Sequence, residues 1–161
     1  MLFVILALMK PLIRAFGATF GILRAEYRQI TNRYFKNIER FDGNAREISQ
    51  QVLDKLWVGD FYRTSLGHFN FFWMRDFGTV AESLVHLNQT THVHHTLRWA
   101  LRHYRRAGRI KLCIDKNGNV FNAPGLPSID ALPWLLHSIV VSHYNLNARE
   151  LAFLSHEVSR Y

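Results

Sequence analysis

Apolar residues recur at three- and four-residue steps in six successive stretches of this chain, a spacing that gathers them on one face of a helix. In the first stretch Leu12, Phe16, Phe20, Leu23, Tyr27, Ile30, Tyr34 and Ile38 form the stripe, and Arg14, Arg24, Arg28, Arg33, Lys36 and Arg40 take the other faces. Pro11 suits the first helical turn, where its missing N–H costs nothing. Phe41-Asp42-Gly43-Asn44 breaks the run. Asn44 with Glu47 three positions later is a capping pair. It opens a helix carrying Ile48, Val52, Leu53, Leu56 and Trp57, with Gly59 as its stop. Residues 60–76 lose the period and read as an aromatic-rich loop. A third helix begins near Asp76 and runs through Val80, Leu84 and Leu87 to Asn88. Thr90 or Thr91 caps a fourth, with Val93, Leu97, Ala100, Leu101 and Tyr104 inward and Gly108 closing it.

From Arg109 to Asn122 the period changes. Ile110, Leu112 and Ile114 precede Asn117-Gly118 and Val120, and Asn-Gly between apolar runs signals a hairpin. The fifth helix covers Ala131 to Tyr144. Pro133 tolerates only its first turn, which favours Asp130 over Ser128 as the cap. Asn147 and Glu150 open a sixth helix running to Tyr161. The sum is an all-α chain of three antiparallel helix pairs, read as one domain over 1–161 with a small β-hairpin inserted at 109–122.

The length of 161 residues allows one domain of ordinary size and excludes a modular multidomain enzyme. With 48% hydrophobic and 20% charged residues the chain is globular and not disordered. Its net charge is +8. That excess invites an anionic partner without deciding which one. The lone Cys113 excludes an internal disulfide or a Cys-rich zinc site, and a reducing, cytoplasmic setting is expected. Met1 to Met9 is apolar, but the basic residues follow it and no small-residue cleavage site appears, so a buried helix turn or an early start is expected over a signal peptide. Nine residues cannot cross about 30 Å of hydrocarbon, and Lys10, Arg14 and Arg24 interrupt any longer window, so no transmembrane span is expected.

The stretch Phe69-Asn70-Phe71-Phe72-Trp73-Met74-Arg75-Asp76 is the richest in chemistry. It offers an aromatic face, a guanidinium and a carboxylate within four residues. Aromatic rings stack on the C–H faces of sugars, and an adjacent Arg and Asp supply the donors and acceptors that neutral hydroxyls need. The plainer reading makes Asp76 a helix cap, Trp73 a core residue and Arg75 a solvated charge; the two readings are compatible.

Trp73-x-Arg75-Asp76, followed by Gly78-Thr79-Val80-x-x-Ser83-Leu84-Val85, resembles the Trp-x-Arg-Asp segment of glucoamylase-type glycoside hydrolases and their glycogen-debranching relatives. Asn117-Gly118-Asn119-Val120 to Pro127-x-x-Asp130-Ala131-Leu132-Pro133-Trp134-Leu135-Leu136 is similar to their loop into the next inner helix. The resemblance covers about residues 60–145. It implies an (α/α)6 toroid of six helical hairpins, of which this chain would form about half. It also implies that Arg75 and Asp76 hydrogen-bond a terminal glucose and that Trp73 walls its pocket, with Asp130 and Trp134 facing the same funnel. The substrate implied is an oligosaccharide or polysaccharide of α-linked glucose.

Hydrolysis with inversion needs an acid and a base roughly 6.5–9.5 Å apart. In the family these lie on later hairpins, so neither catalytic carboxylate is expected here; Glu82 and Asp115 read as a helix-surface charge and a turn residue. Half a toroid exposes apolar edges, so a second chain, a homodimeric copy or a missing C-terminal half is expected to cover them. No cofactor is expected.

Two other signals compete. His92-x-His94-His95 with His86 and His103 lacks the convergence and the orienting carboxylate that a zinc site wants; no metal site is expected. Arg98, Arg102, Arg105, Arg106, Arg109 and Lys111, with Trp99 and Tyr104 interleaved, form a basic cluster that could grip phosphates, which makes nucleic-acid binding the alternative function. Membrane-surface association through the first helix is a third reading. Cys113 has no histidine near it in sequence, and the scattered glycines form no phosphate loop.

Overall fold

A computed structural model of the chain describes residues 27, 40–67, 70–122 and 128–160. The expected first helix over 11–38 and the apolar segment Met1 to Met9 lie outside the described residues, apart from Tyr27. The chain falls into two compact units, Met1–Asp42 and Gly43–Tyr161, a division that the one-domain reading of 1–161 does not make. The second unit carries every element described below.

It is helix-rich, with five described helices and a small sheet: α1 (Ala45–Leu56), β1 (Phe72–Trp73), α2 (Met74–His86), α3 (Thr90–Ala107), β2 (Cys113–Ile114), β3 (Val120–Phe121), α4 (Ala131–Val141) and α5 (Ala148–Ser159). Two helices start as their sequences dictate. Asn44 accepts from the backbone N–H groups of Arg46 and Glu47 while Glu47 accepts from that of Asn44, and Asn147 and Glu150 repeat the arrangement at α5. Each pair satisfies donors that the first helical turn otherwise leaves open. Gly108, at φ +67, ends α3 in the left-handed conformation.

The core is built around α3. Val93, Leu97, Ala100, Leu101 and Tyr104 are inaccessible to solvent, together with Phe72, Met74, Ile114 and Leu135. Each such large side chain contributes about 1.5–3 kcal/mol by leaving water. The Tyr104 hydroxyl donates to the Lys111 carbonyl at 2.8 Å, so the largest fully buried side chain also anchors the chain entering β2. The most extensive helix contact joins α2 and α4, which are not consecutive in the chain. Gly78 permits it: a Cβ there would lie 2.6 Å from the Trp134 Cβ.

Several expectations are corrected. Residues 60–76 are not all loop: Phe72–Trp73 is a strand, and β1 pairs antiparallel with β2, which pairs with β3, giving a three-stranded sheet in place of an isolated hairpin. Two-residue strands have no readable alternation, and β1 exists because Cys113–Ile114 lies beside it to pair with. Helix α2 starts at Met74, whose N–H donates to the Leu112 carbonyl, so Asp76 stands in the first turn and is not the cap. Gln89, and neither Thr90 nor Thr91, takes the cap position of α3, without a side-chain hydrogen bond. Helix α4 stops at Val141, three residues before Tyr144, because Ser142 serves as its C-cap and His143 turns to φ +52.

Candidate functional site

Three of the five expected site residues share one opening. Trp73, Arg75 and Asp76, with Leu112 below them, line a surface hollow of about 170 Å³. The local fold explains the gathering. The end of β1 fixes Trp73 against Cys113 of β2, and the helix begins one residue later, so Arg75 and Asp76 project from its first turn as exposed side chains.

Asp130 occupies the N-cap position of α4, as its sequence suggests, but its carboxylate does not cap the helix. Instead it accepts two hydrogen bonds from Arg75, from Nε at 2.5 Å and from Nη2 at 3.1 Å. This fork geometry ties the start of α2 to the start of α4 and orients the guanidinium. It also holds Arg75 more firmly charged than an ordinary arginine, the hydrogen bonds to Asp130 being the main cause. The side chains are 47% and 29% exposed, so the pair positions Arg75 more than it stabilises the fold.

Trp134 does not line the hollow. It is half-buried one turn into α4, packed on Gly78, and its ring meets His137 edge-on at 5.6 Å. Its part is to set how closely α4 approaches α2. Phe69 lies outside the described residues, and Phe71 meets Phe121 of β3 edge-on at 6.0 Å.

The chemistry available in the hollow is a carboxylate, a guanidinium and an indole. Nε and Nη2 of Arg75 are engaged, while Nη1 and the Asp76 carboxylate have no hydrogen-bond partner among the described residues. Among the described residues Arg75 is balanced by Asp130, and Asp76 adds a negative charge with no ion-pair partner. Beneath it Cys113 is fully buried, and burial pushes its thiol up to about 12, with the Asp76 carboxylate adding to the rise. Such a thiol is not a nucleophile at neutral pH.

The remaining carboxylates singled out in the sequence are elsewhere. Glu82 is exposed on α2, 4.0 Å from His86. Asp115 accepts from the backbone of Asn117 and Asn119 and from the Asn119 amide, which shapes the turn between β2 and β3. The histidines are held by rings and backbone: His92 stacks on Trp57 with centroids 4.2 Å apart, and the His94 Nε2 lies 2.7 Å from the Ser142 carbonyl. His103 packs against Gly118 of the turn. Among the described residues no three His, Cys, Asp or Glu side chains converge as a metal site would require. No helix among them is long and apolar enough to cross a membrane.

The sequence did not reveal the Arg75–Asp130 fork, which joins residues 55 positions apart and carries no local signal. Nor did it reveal Leu112, whose place under the hollow follows from the pairing of β1 with β2. Comparison of the chain with protein-family models, with curated proteins and with solved structures finds no match.

Proposed function

We propose that the hollow formed by Trp73, Arg75 and Asp76 binds the edge of a pyranose ring, and that the chain acts on α-linked glucan as the N-terminal part of a glucoamylase-like glycoside hydrolase. The observation that carries this reading is the shared opening. An indole, a fixed guanidinium and a carboxylate that has no hydrogen-bond partner among the described residues face one hollow, the set that a ring with apolar C–H faces and vicinal hydroxyls calls for. The Arg75–Asp130 fork supports it as well, because a donor held before the ligand arrives loses less entropy on binding.

The contact of α2 with α4 agrees with the toroid reading, in which alternate helices form the inner ring. At about 170 Å³ the hollow is smaller than the roughly 300–1,000 Å³ of a complete ligand pocket. It accommodates part of one sugar, and the rest of the pocket belongs to later hairpins or a second chain. The acid and base that inversion requires are placed there too.

The test is calorimetric titration of the protein with maltose and longer malto-oligosaccharides. Wild-type protein binds weakly, in the millimolar range. Asp76→Ala, which removes a charged acceptor worth about 1.5–3 kcal/mol, loses detectable binding while its melting temperature falls by only a few degrees, as loss of a first-turn carboxylate costs about 0.3–1 kcal/mol. Equal heats from both proteins, or none from the wild type, would refute the reading.

A further inference from the structure

The outer face of α3 carries a second candidate surface. Helix α3 has four arginines and no acidic residue in 18 positions. Arg98, Arg102 and Arg106 stand at successive four-residue steps, all exposed, and exposed Arg109 continues them beyond the Gly108 cap. At about 1.5 Å rise per residue, the first three span about 12 Å of helix.

No salt bridge joins any arginine of α3 to a carboxylate among the described residues. Arg98 reaches the Tyr144 hydroxyl. The nearby acids are engaged elsewhere: Glu157 accepts from the Ile110 N–H and from Arg160, Glu150 from Tyr144 and the Asn147 N–H, and Asp115 from its own turn. Like charges four residues apart on a helix destabilise it. Arg105 and Arg106 are offset by the negative C-terminal end of the helix, but Arg98 and Arg102 lie too far from it. The row therefore costs stability, and among the described residues no carboxylate pairs with it.

A separate feature adjoins its N-terminal end. His95 is exposed one turn before Arg98, and its ring meets the half-buried Trp57 edge-on at 6.2 Å, beside the Trp57–His92 stack. An aromatic platform continuing into a guanidinium row is the composition of a single-stranded nucleic-acid track, in which bases stack and arginines grip phosphates. Insertion of this helix into a membrane surface is disfavoured, because its apolar face, from Val93 to Tyr104, is committed to the core.

We infer that the solvent face of α3, from His95 through Arg98, Arg102 and Arg106, binds a single strand of nucleic acid. The surface is independent of the sugar-binding hollow.

The experiment is fluorescence anisotropy with labelled twenty-nucleotide single-stranded RNA and DNA over a salt series. Three phosphate contacts give a slope of log K against log salt of about −2, since each contributes about −0.7 on single strands. Arg102→Ala/Arg106→Ala reduces the slope to about −0.7 and weakens binding at low salt at least tenfold. Arg102→Lys/Arg106→Lys retains the slope, and Arg46→Ala on α1 leaves both quantities unchanged. His95→Ala weakens binding without altering the slope. The RNA and DNA arms show which strand is preferred. An unchanged slope in the double alanine variant, absence of binding by the wild type at low salt, or equal competition by polyglutamate of matching length would overturn the inference.

Discussion

A carboxylate in the first turn of a helix ordinarily does no more than favour the positive end of the helix dipole, and Asp76 holds such a position in α2. What distinguishes it is company: Trp73 and Arg75 line the same hollow, and Asp130 fixes the guanidinium beside it. Because that ion pair is partly exposed, Asp130→Ala is expected to cost about 1 kcal/mol or less. Sugar binding should nonetheless weaken severalfold as Arg75 loses its fixed orientation; the melting temperature and a maltose titration measure the two effects.

His103 makes a prediction of different kind. Burial against the β2–β3 turn lowers its pKa below the ordinary histidine value, Arg102 and Arg106 adding to the effect. The folded state thus keeps His103 neutral at a pH where the unfolded chain already binds a proton. Its contribution is intact above the unfolded value near 6.5 and declines as pH falls below it. The melting temperature should drop between pH 7 and pH 5, and more gently in His103→Gln. A steeper drop in that variant would contradict the assignment.

At the scale of elements, periodicity and caps carried most of the information. The apolar steps from Val93 to Tyr104 define α3, and Asn44/Glu47 and Asn147/Glu150 mark helix starts by a chemistry confined to four residues. Legibility ended where partners were remote. Strand β1 is two residues long and depends on β2 some forty positions away, so from sequence alone Phe72–Trp73 reads as loop and α2 as starting near Asp76, two residues beyond its true start. The same distance hid Asp130's bond to Arg75. Of the candidate site, Trp73, Arg75 and Asp76 are legible because they are neighbours in sequence; Trp134 is expected at the funnel only through the family resemblance, and nothing local shows that it lies against Gly78 instead.

The α2–α4 contact has its own test. Gly78→Ala gains about 1 kcal/mol of helix preference, but the added methyl meets the Trp134 Cβ, which cannot rotate away. Overpacking of this kind costs about 1–3 kcal/mol. A lower melting temperature is expected, along with weaker sugar binding as the two helices move apart; a more stable variant would show that they do not approach so closely.

At the scale of the whole molecule, a net charge of +8 and a hollow lined by Trp73, Arg75 and Asp76 suggest different partners, and the two proposed surfaces separate by their response to salt. Contacts with neutral hydroxyls are little affected by ionic strength, whereas a guanidinium row on phosphates loses affinity steeply. The account rests on the hollow, and the indole N–H resonance of Trp73, assigned with Trp73→Phe, reports on it most directly. On titration with a malto-oligosaccharide the Trp73 signal should shift progressively and saturate, while those of Trp99 and Trp134 stay in place. A Trp73 signal that remains fixed at saturating sugar, or a shift confined to Trp134, would contradict it.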